Sequence, residues 1–110
     1  MKRWMIVAGL LASTFVLAQS NSPARQFMQT MEKSMTRMDH DMAAVPMSGD
    51  PDHDFAVMMI PHHDGAIDMA KAELRFGKDP VMRRMAQEIL VEQQSEIDVM
   101  NLWISKKHQP

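Results

Sequence analysis

The sequence predicts a small all-α fold: an antiparallel three-helix bundle with ferritin-like, four-helix-type packing that dimerisation would complete. Three observations carry this. A capping oxygen stands directly before a proline at Ser22-Pro23, Asp50-Pro51 and Asp79-Pro80, the pairing that opens helices at the N-cap and first helical positions. Met28, Met31, Met35, Met38 and Met42 repeat at spacings of 3 and 4, a heptad seam. No segment alternates with period two, and β-branched and aromatic residues are scarce beyond the first segment, so strands are disfavoured.

The opening MKRWMIVAGLLASTFVLAQS has a positive start at Lys2 and Arg3 and an apolar run from Trp4 to Leu17. That run is shorter than the ~20 residues a membrane span needs. Small side chains around Val16-Leu17-Ala18 predict a signal peptide over 1–18, cleaved after Ala18. Residues 19–110 are then one small domain, exported and periplasmic. The competing reading is an uncleaved anchor. The chain has no cysteine, which excludes disulfides and a lipid-modified cysteine and favours a metal or a partner subunit to supplement a thin core. The net charge of −2 becomes about −4 without Lys2 and Arg3, so neither nucleic acid nor an anionic membrane is a natural partner.

Helix one is expected from about Pro23 to Ala43, followed by a loop, VPMSGD, whose proline and glycine break the pattern. Helix two runs from about Pro51 to Phe76 and stops at Gly77, a C-cap glycine. Pro61 lies inside it and removes one backbone donor, which predicts a kink beside the following histidines. Helix three runs from about Pro80 to Lys106, with Lys106 and Lys107 at its negative end. Its seam reads Met82, Ala86, Ile89, Gln93, Glu96, Met100, Trp103. A tight turn near Lys78 would set His62 opposite Gln94 and His63 opposite Gln93, with Glu96 about one turn away. A turn centred near Met47 would set Met31 and Met35 level with His63 and Met59.

The chemistry concentrates in FAVMMIPHHDGAIDMA, residues 55–70. Met58 stands four residues before His62, Met59 four before His63, and Met69 two turns after His62. Residues three, four and seven apart share a helix face. Thioether is soft and imidazole borderline, a donor set for Cu(I) rather than Mg, Ca or Mn. A methionine stripe is ordinarily core filler. Here, however, twelve methionines follow the signal segment against only Leu74, Leu90 and Leu102, whereas a core chosen for packing would favour leucine. His40 in MDHDM and His53 in PDHDF, each between aspartates, read as solvated or as a weak, harder site for Cu(II) or Zn. Catalytic residues are not predicted: the chain lacks Glu-x-x-His, His-Glu-x-x-His and Cys-x-x-Cys-His. It reads as a binding protein, not an enzyme.

The run SGDPDHDFAVMMIPHHDGAIDMAKAELRFGKDP, followed by MAQEILVEQQSEIDVMNLW, resembles the CopM-like periplasmic copper-binding family, much of which is described only as a domain of unknown function. The match covers about Gly49 to Trp103, and the methionine-rich helix before it fits the same pattern. The resemblance implies a helical bundle that binds Cu(I) and Ag(I) and contributes to copper resistance. It carries over to Met59, His62, His63 and Met69, and on helix three to Gln94, Glu96, Met100 and Trp103. The expected metal site is Met59, His62, His63, Met69 and Met100 together with Met31, Met35 and Met58, with Gln94 and Glu96 as supporting polar groups.

The expectation is therefore an exported copper chaperone or buffer with copper ions, a delivery or efflux protein and a second copy as its partners. The rival is a periplasmic interaction protein whose flexible methionine surface binds peptides. A bundle holding haem between a histidine and a methionine comes third.

Overall fold

The computed structural model describes residues 21–108 as three helices: α1 Pro23–Ala44, α2 Pro51–Phe76 and α3 Pro80–Lys107. The signal-peptide prediction lies outside these residues. Among them, no helix is long and apolar enough to cross a membrane. All three predicted caps form. The Ser22 hydroxyl accepts the Arg25 N–H at 3.2 Å and the Asp50 carboxylate the Asp52 N–H at 3.2 Å. Asp79 accepts the N–H groups of Val81 and Met82 at 2.9 and 3.0 Å. Each satisfies donors that a helix start leaves orphaned.

α2 runs unbroken through Pro61, so the proline costs one backbone bond without ending the helix. Its far end is sealed from α3. Arg83 reaches back and donates to the carbonyls of Leu74 at 2.6 Å and Gly77 at 3.0 Å, taking up acceptors that the last turn cannot pair internally.

Contacts fix both registers. On one side of α2, the Phe27 ring meets the Phe76 ring edge-on at 6.3 Å. Arg37 bonds Asp68 at 3.1 Å, and Met38 lies against Gly65. On the other, Leu74 meets Arg83, His63 meets Glu96, and Asp50 pairs with Lys107. Both neighbours are antiparallel to α2. At 3.6 residues per turn, Gly65 and His63 point about 160° apart on α2. α1 and α3 therefore attach to opposite edges of α2 and make no extensive contact with each other.

The arrangement is a flat three-helix layer with α2 in the middle. Its interior is built mostly of small residues, Ala56, Ala70 and Ala72 on α2 and Ala86 on α3, with Ile67 and Ile97 the larger buried aliphatics. Among the described residues no large side chain is fully buried. Small residues let the backbones approach closely, and at Gly65 even a methyl group would stand 2.7 Å from the Met38 sulfur.

The register of α1 differs from the sequence expectation. Extending the observed contacts, Met35 lies level with about residue 69 of α2 and Met31 with about residue 73, roughly 15 Å from the expected levels at 1.5 Å per residue. The cause is the connection. Val45 leaves the helix in an extended conformation, and residues 45–50 run as a strap beside the overhanging first turns of α2 instead of forming a centred turn. The Asp54 carboxylate accepts from the Ser48 N–H and hydroxyl, both at 2.8 Å, and from the Gly49 N–H at 3.0 Å. Gly49, at φ +87°, takes the left-handed conformation that glycine adopts without strain.

Candidate metal centre

The flat layer gives the chain two broad faces, and helical phase decides what each carries. Counting 100° per residue from the contact residues, Met28, Met31, Met35 and Met42 of α1 project to one side of the layer. Phe55, Met58, Met59, His62 and Met69 of α2 project to that same side, as do Met82, Met85, Glu96, Met100 and Trp103 of α3. The opposite side carries Gln26, Lys33 and Arg37, then Asp64, Lys71 and Arg75, then Gln94 and Asp98. Two shallow pockets in the α1–α2 groove agree with this division: Met28 lines one together with Glu73, and Gln26 and Lys33 line the other together with Arg75.

At the middle of the methionine face stand the two histidines. Their ring centroids are 6.0 Å apart, as adjacent helical residues about 100° apart require. His62 is exposed at the surface of the face. His63 points to the α2–α3 seam with its side chain only 14 % exposed. Its Nε2–H donates to the Glu96 carboxylate. That bond leaves the Nδ1 lone pair free in the neutral ring. Nδ1 is buried and has no hydrogen-bond partner. Buried polar atoms are ordinarily paired, so this nitrogen has the features of a ligand atom. A carboxylate on the remote ring nitrogen is how metal-binding imidazoles are commonly oriented.

The residues predicted for the site divide. Met58, Met59 and Met69 are half-buried on α2 beside the histidines, and Met100 is half-buried on α3 at the level of Met58. Glu96 touches His63 directly rather than from one turn away. Gln94 does not take part: it lies on the opposite face and donates to Asp98 at 3.0 Å. Two residues separate Gln94 from Glu96, a rotation of about 200°. Met31 and Met35 share the methionine face but sit beside the second half of α2, with Met35 level with Met69. Trp103 lies at the far end, under the Lys107 ammonium at 4.9 Å.

The shifted register brings other residues to the histidine layer. Met42 falls level with His62, and Met38, packed on Gly65, lies one turn away. Both belong to the heptad stripe, but spacing within one helix cannot say which of its turns meets the histidines. Among the described residues, no three His, Asp or Glu side chains gather in a metal-binding group. His40 and His53 each bond the aspartate that follows them, at 3.0 and 3.4 Å, on separate helices. The other candidate donors on this face are thioethers and imidazoles.

An all-helical domain with a methionine and histidine face is the class that fold and site define. The chain belongs to the DUF305 family, described as a domain of unknown function, whose pattern it matches over residues 1–104. It is also similar to uncharacterized protein L153 of Acanthamoeba polyphaga mimivirus, 46 % identical over 43 residues. The match takes in 39 % of this chain and 28 % of that relative.

Proposed function

We propose that this chain is an exported Cu(I)-binding protein of the periplasm, a buffer or chaperone that contributes to copper homeostasis and resistance. His63 Nδ1 is the observation that carries the reading: buried, unpartnered, oriented by Glu96, and set among methionines. Met59, His62, His63 and Met100 would hold the ion, with Met42 and Met58 at the margin and Met69, two turns from His62, a further thioether on the same face. Ag(I), equally soft, fits the same donors. Methionine binds without losing a proton, so the thioether share of the affinity would persist in mildly acidic surroundings, while the share of His62 and His63 would weaken. Modest thioether affinity suits transfer to a delivery or efflux protein.

An anaerobic Cu(I) competition titration against a chromophoric chelator tests this. The wild-type chain should compete stoichiometrically, and His62→Ala/His63→Ala should bind about a hundredfold more weakly, ~2.7 kcal/mol. Absence of any competition by the wild type would sink the reading. One observation favours the rival, a peptide-binding surface: Met28, Met82 and Met85 are about half exposed, as a re-packing methionine surface would be. That rival predicts peptide affinity unchanged by the histidine substitutions.

A further inference from the structure

Folded domains stack at least two layers of secondary structure so that each apolar face is covered. The described residues supply one. Their interior holds alanines, a glycine and two isoleucines, while Phe55 is 63 % and Met85 50 % exposed on the same broad face. This is not scattered surface apolarity. Each of the three helices contributes to that one side, while the other side carries paired charges, as at Arg37–Asp68, with Val91 and Leu102 of α3 as its exposed aliphatics.

We propose that a second copy of this chain stacks on the methionine face, and that a metal held there is shared between the two chains; the shared ion rests on the copper reading. The dimensions suit a stable pair. Helices of 22 to 28 residues are ~33–42 Å long and ~10 Å wide, so three side by side present about 1,000 Å². A specific interface buries about 800 Å² per partner. The carboxylates on this face have partners or a place within the chain: Glu96, though 60 % exposed, bonds His63, and Glu73 lies in the groove beside Met28. An isologous pair joins the same patch of both copies, and overlap is greatest when the centre of the face lies on the two-fold axis. That centre is the middle of α2, where His62 stands exposed. Each His62 then meets its symmetry mate among the methionines of both chains. The outward aim of His62 and the inward aim of His63 become two halves of one arrangement: His63 is completed within the chain, His62 across the interface.

Sedimentation equilibrium of the purified protein, with and without Cu(I), provides the test. The wild type, freed of residues 1–18, should sediment at twice the mass of one mature chain. Met28→Glu/Met85→Glu should be monomeric with its helical circular dichroism retained, because both side chains are already half exposed. Phe55→Glu at the other end of the face should act likewise, whereas Lys33→Glu on the opposite face should leave the dimer intact. The monomeric variants should bind Cu(I) at least tenfold more weakly, though Met28, Met85 and Phe55 are not among the proposed ligands. A wild-type monomer at ~50 µM with and without Cu(I) would overturn the proposal. So would a dimer indifferent to the face substitutions, a monomeric variant with undiminished copper affinity, or a monomer that instead takes up a synthetic amphipathic helix on this face. A wild type that takes no copper yet dimerises through the methionine face would defeat the copper reading and the shared ion while upholding the stacking.

Discussion

The two broad faces of the layer come from the same three helices and share almost no chemistry. On one, Arg37 reaches Asp68 at 3.1 Å and Gln94 reaches Asp98 at 3.0 Å, so its polar groups find partners within the chain. On the other, thioethers and rings predominate around Glu73 and Glu96, and the nearby His63 Nδ1 has no partner. A polar face of this kind is complete in water. A methionine face is not: its apolar area gains about 25 cal/mol for each Å² withdrawn from solvent, and its lone pairs suit a soft ion. The difference teaches that the ordinary signature of burial, an apolar stripe on each helix, here lies on an open side of the layer.

That comparison can be broken first between the helices. Ile97 is 6 % exposed in the α2–α3 seam, whereas Val99, two residues on, is 64 % exposed. Ile97→Ala should destabilise the protein by about 2–4 kcal/mol, the transfer and cavity cost of a buried aliphatic chain. Val99→Ala should stay within about 0.5 kcal/mol. Urea unfolding followed by circular dichroism measures both, and equal costs would show that the seam is not where the stability lies. The α1–α2 edge comes next. A methyl group at Gly65 would meet the Met38 sulfur at 2.7 Å and its Cβ at 3.0 Å. Gly65→Ala should therefore cost about 1–2 kcal/mol through overpacking, despite the ~1 kcal/mol that alanine adds to helix propensity. A stabilised variant would place α1 farther from α2 than the contacts do.

How far the sequence could be read follows from these same edges. The three helices were legible because each begins with a capping side chain and a proline, and such local signals do not depend on what packs where. The α2–α3 register was legible to within a turn because the short link at Gly77–Asp79 leaves little freedom. The α1–α2 register was not, since the strap at 45–50 is extended and displaces α1 by about ten residues relative to a centred turn. Spacing sets Glu96 one turn from the histidines, whereas it touches His63, and sets Gln94 opposite His62, whereas it bonds Asp98 on the other face. A side chain's side of the layer changes by about 100° with each residue, so a small register error turns it away. The two-faced layer itself was hidden: spacing names the apolar stripe on each helix, but only contacts reveal which edge of α2 each neighbour occupies.

The strap offers a smaller effect with a defined sign. Bonds from the Ser48 N–H and hydroxyl and the Gly49 N–H hold the Asp54 carboxyl at about 2, below its ordinary 3.8. A carboxylate bound more tightly in the folded state stabilises it above the unfolded pKa, and the contribution disappears as pH falls from about 4 towards 2. Asp54→Asn should thus melt below wild type at pH 6, and the two should converge near pH 2. A gap in melting temperature that stays constant across that range would mean that the strap is held by something other than this charge.

The smallest expected change in stability asks the sharpest question of the methionine face. Leucine matches methionine closely in volume and equals it in helix propensity, and such swaps cost less than about 1.5 kcal/mol even in packed interiors. Met59 and Met69 are half-buried, so Met59→Leu/Met69→Leu should leave the melting temperature within a few degrees of wild type. If the face exists to be covered, leucine serves as well, and dimerisation and copper affinity should both persist. If the face exists for its sulfur, dimerisation should persist while Cu(I) affinity falls about tenfold or more, ~1.4 kcal/mol. The same double substitution thus separates the two properties that methionine combines, apolar bulk and a soft lone pair. We expect the second result, because leucine would have met the packing demand alone and is nearly absent from the helices that form this face.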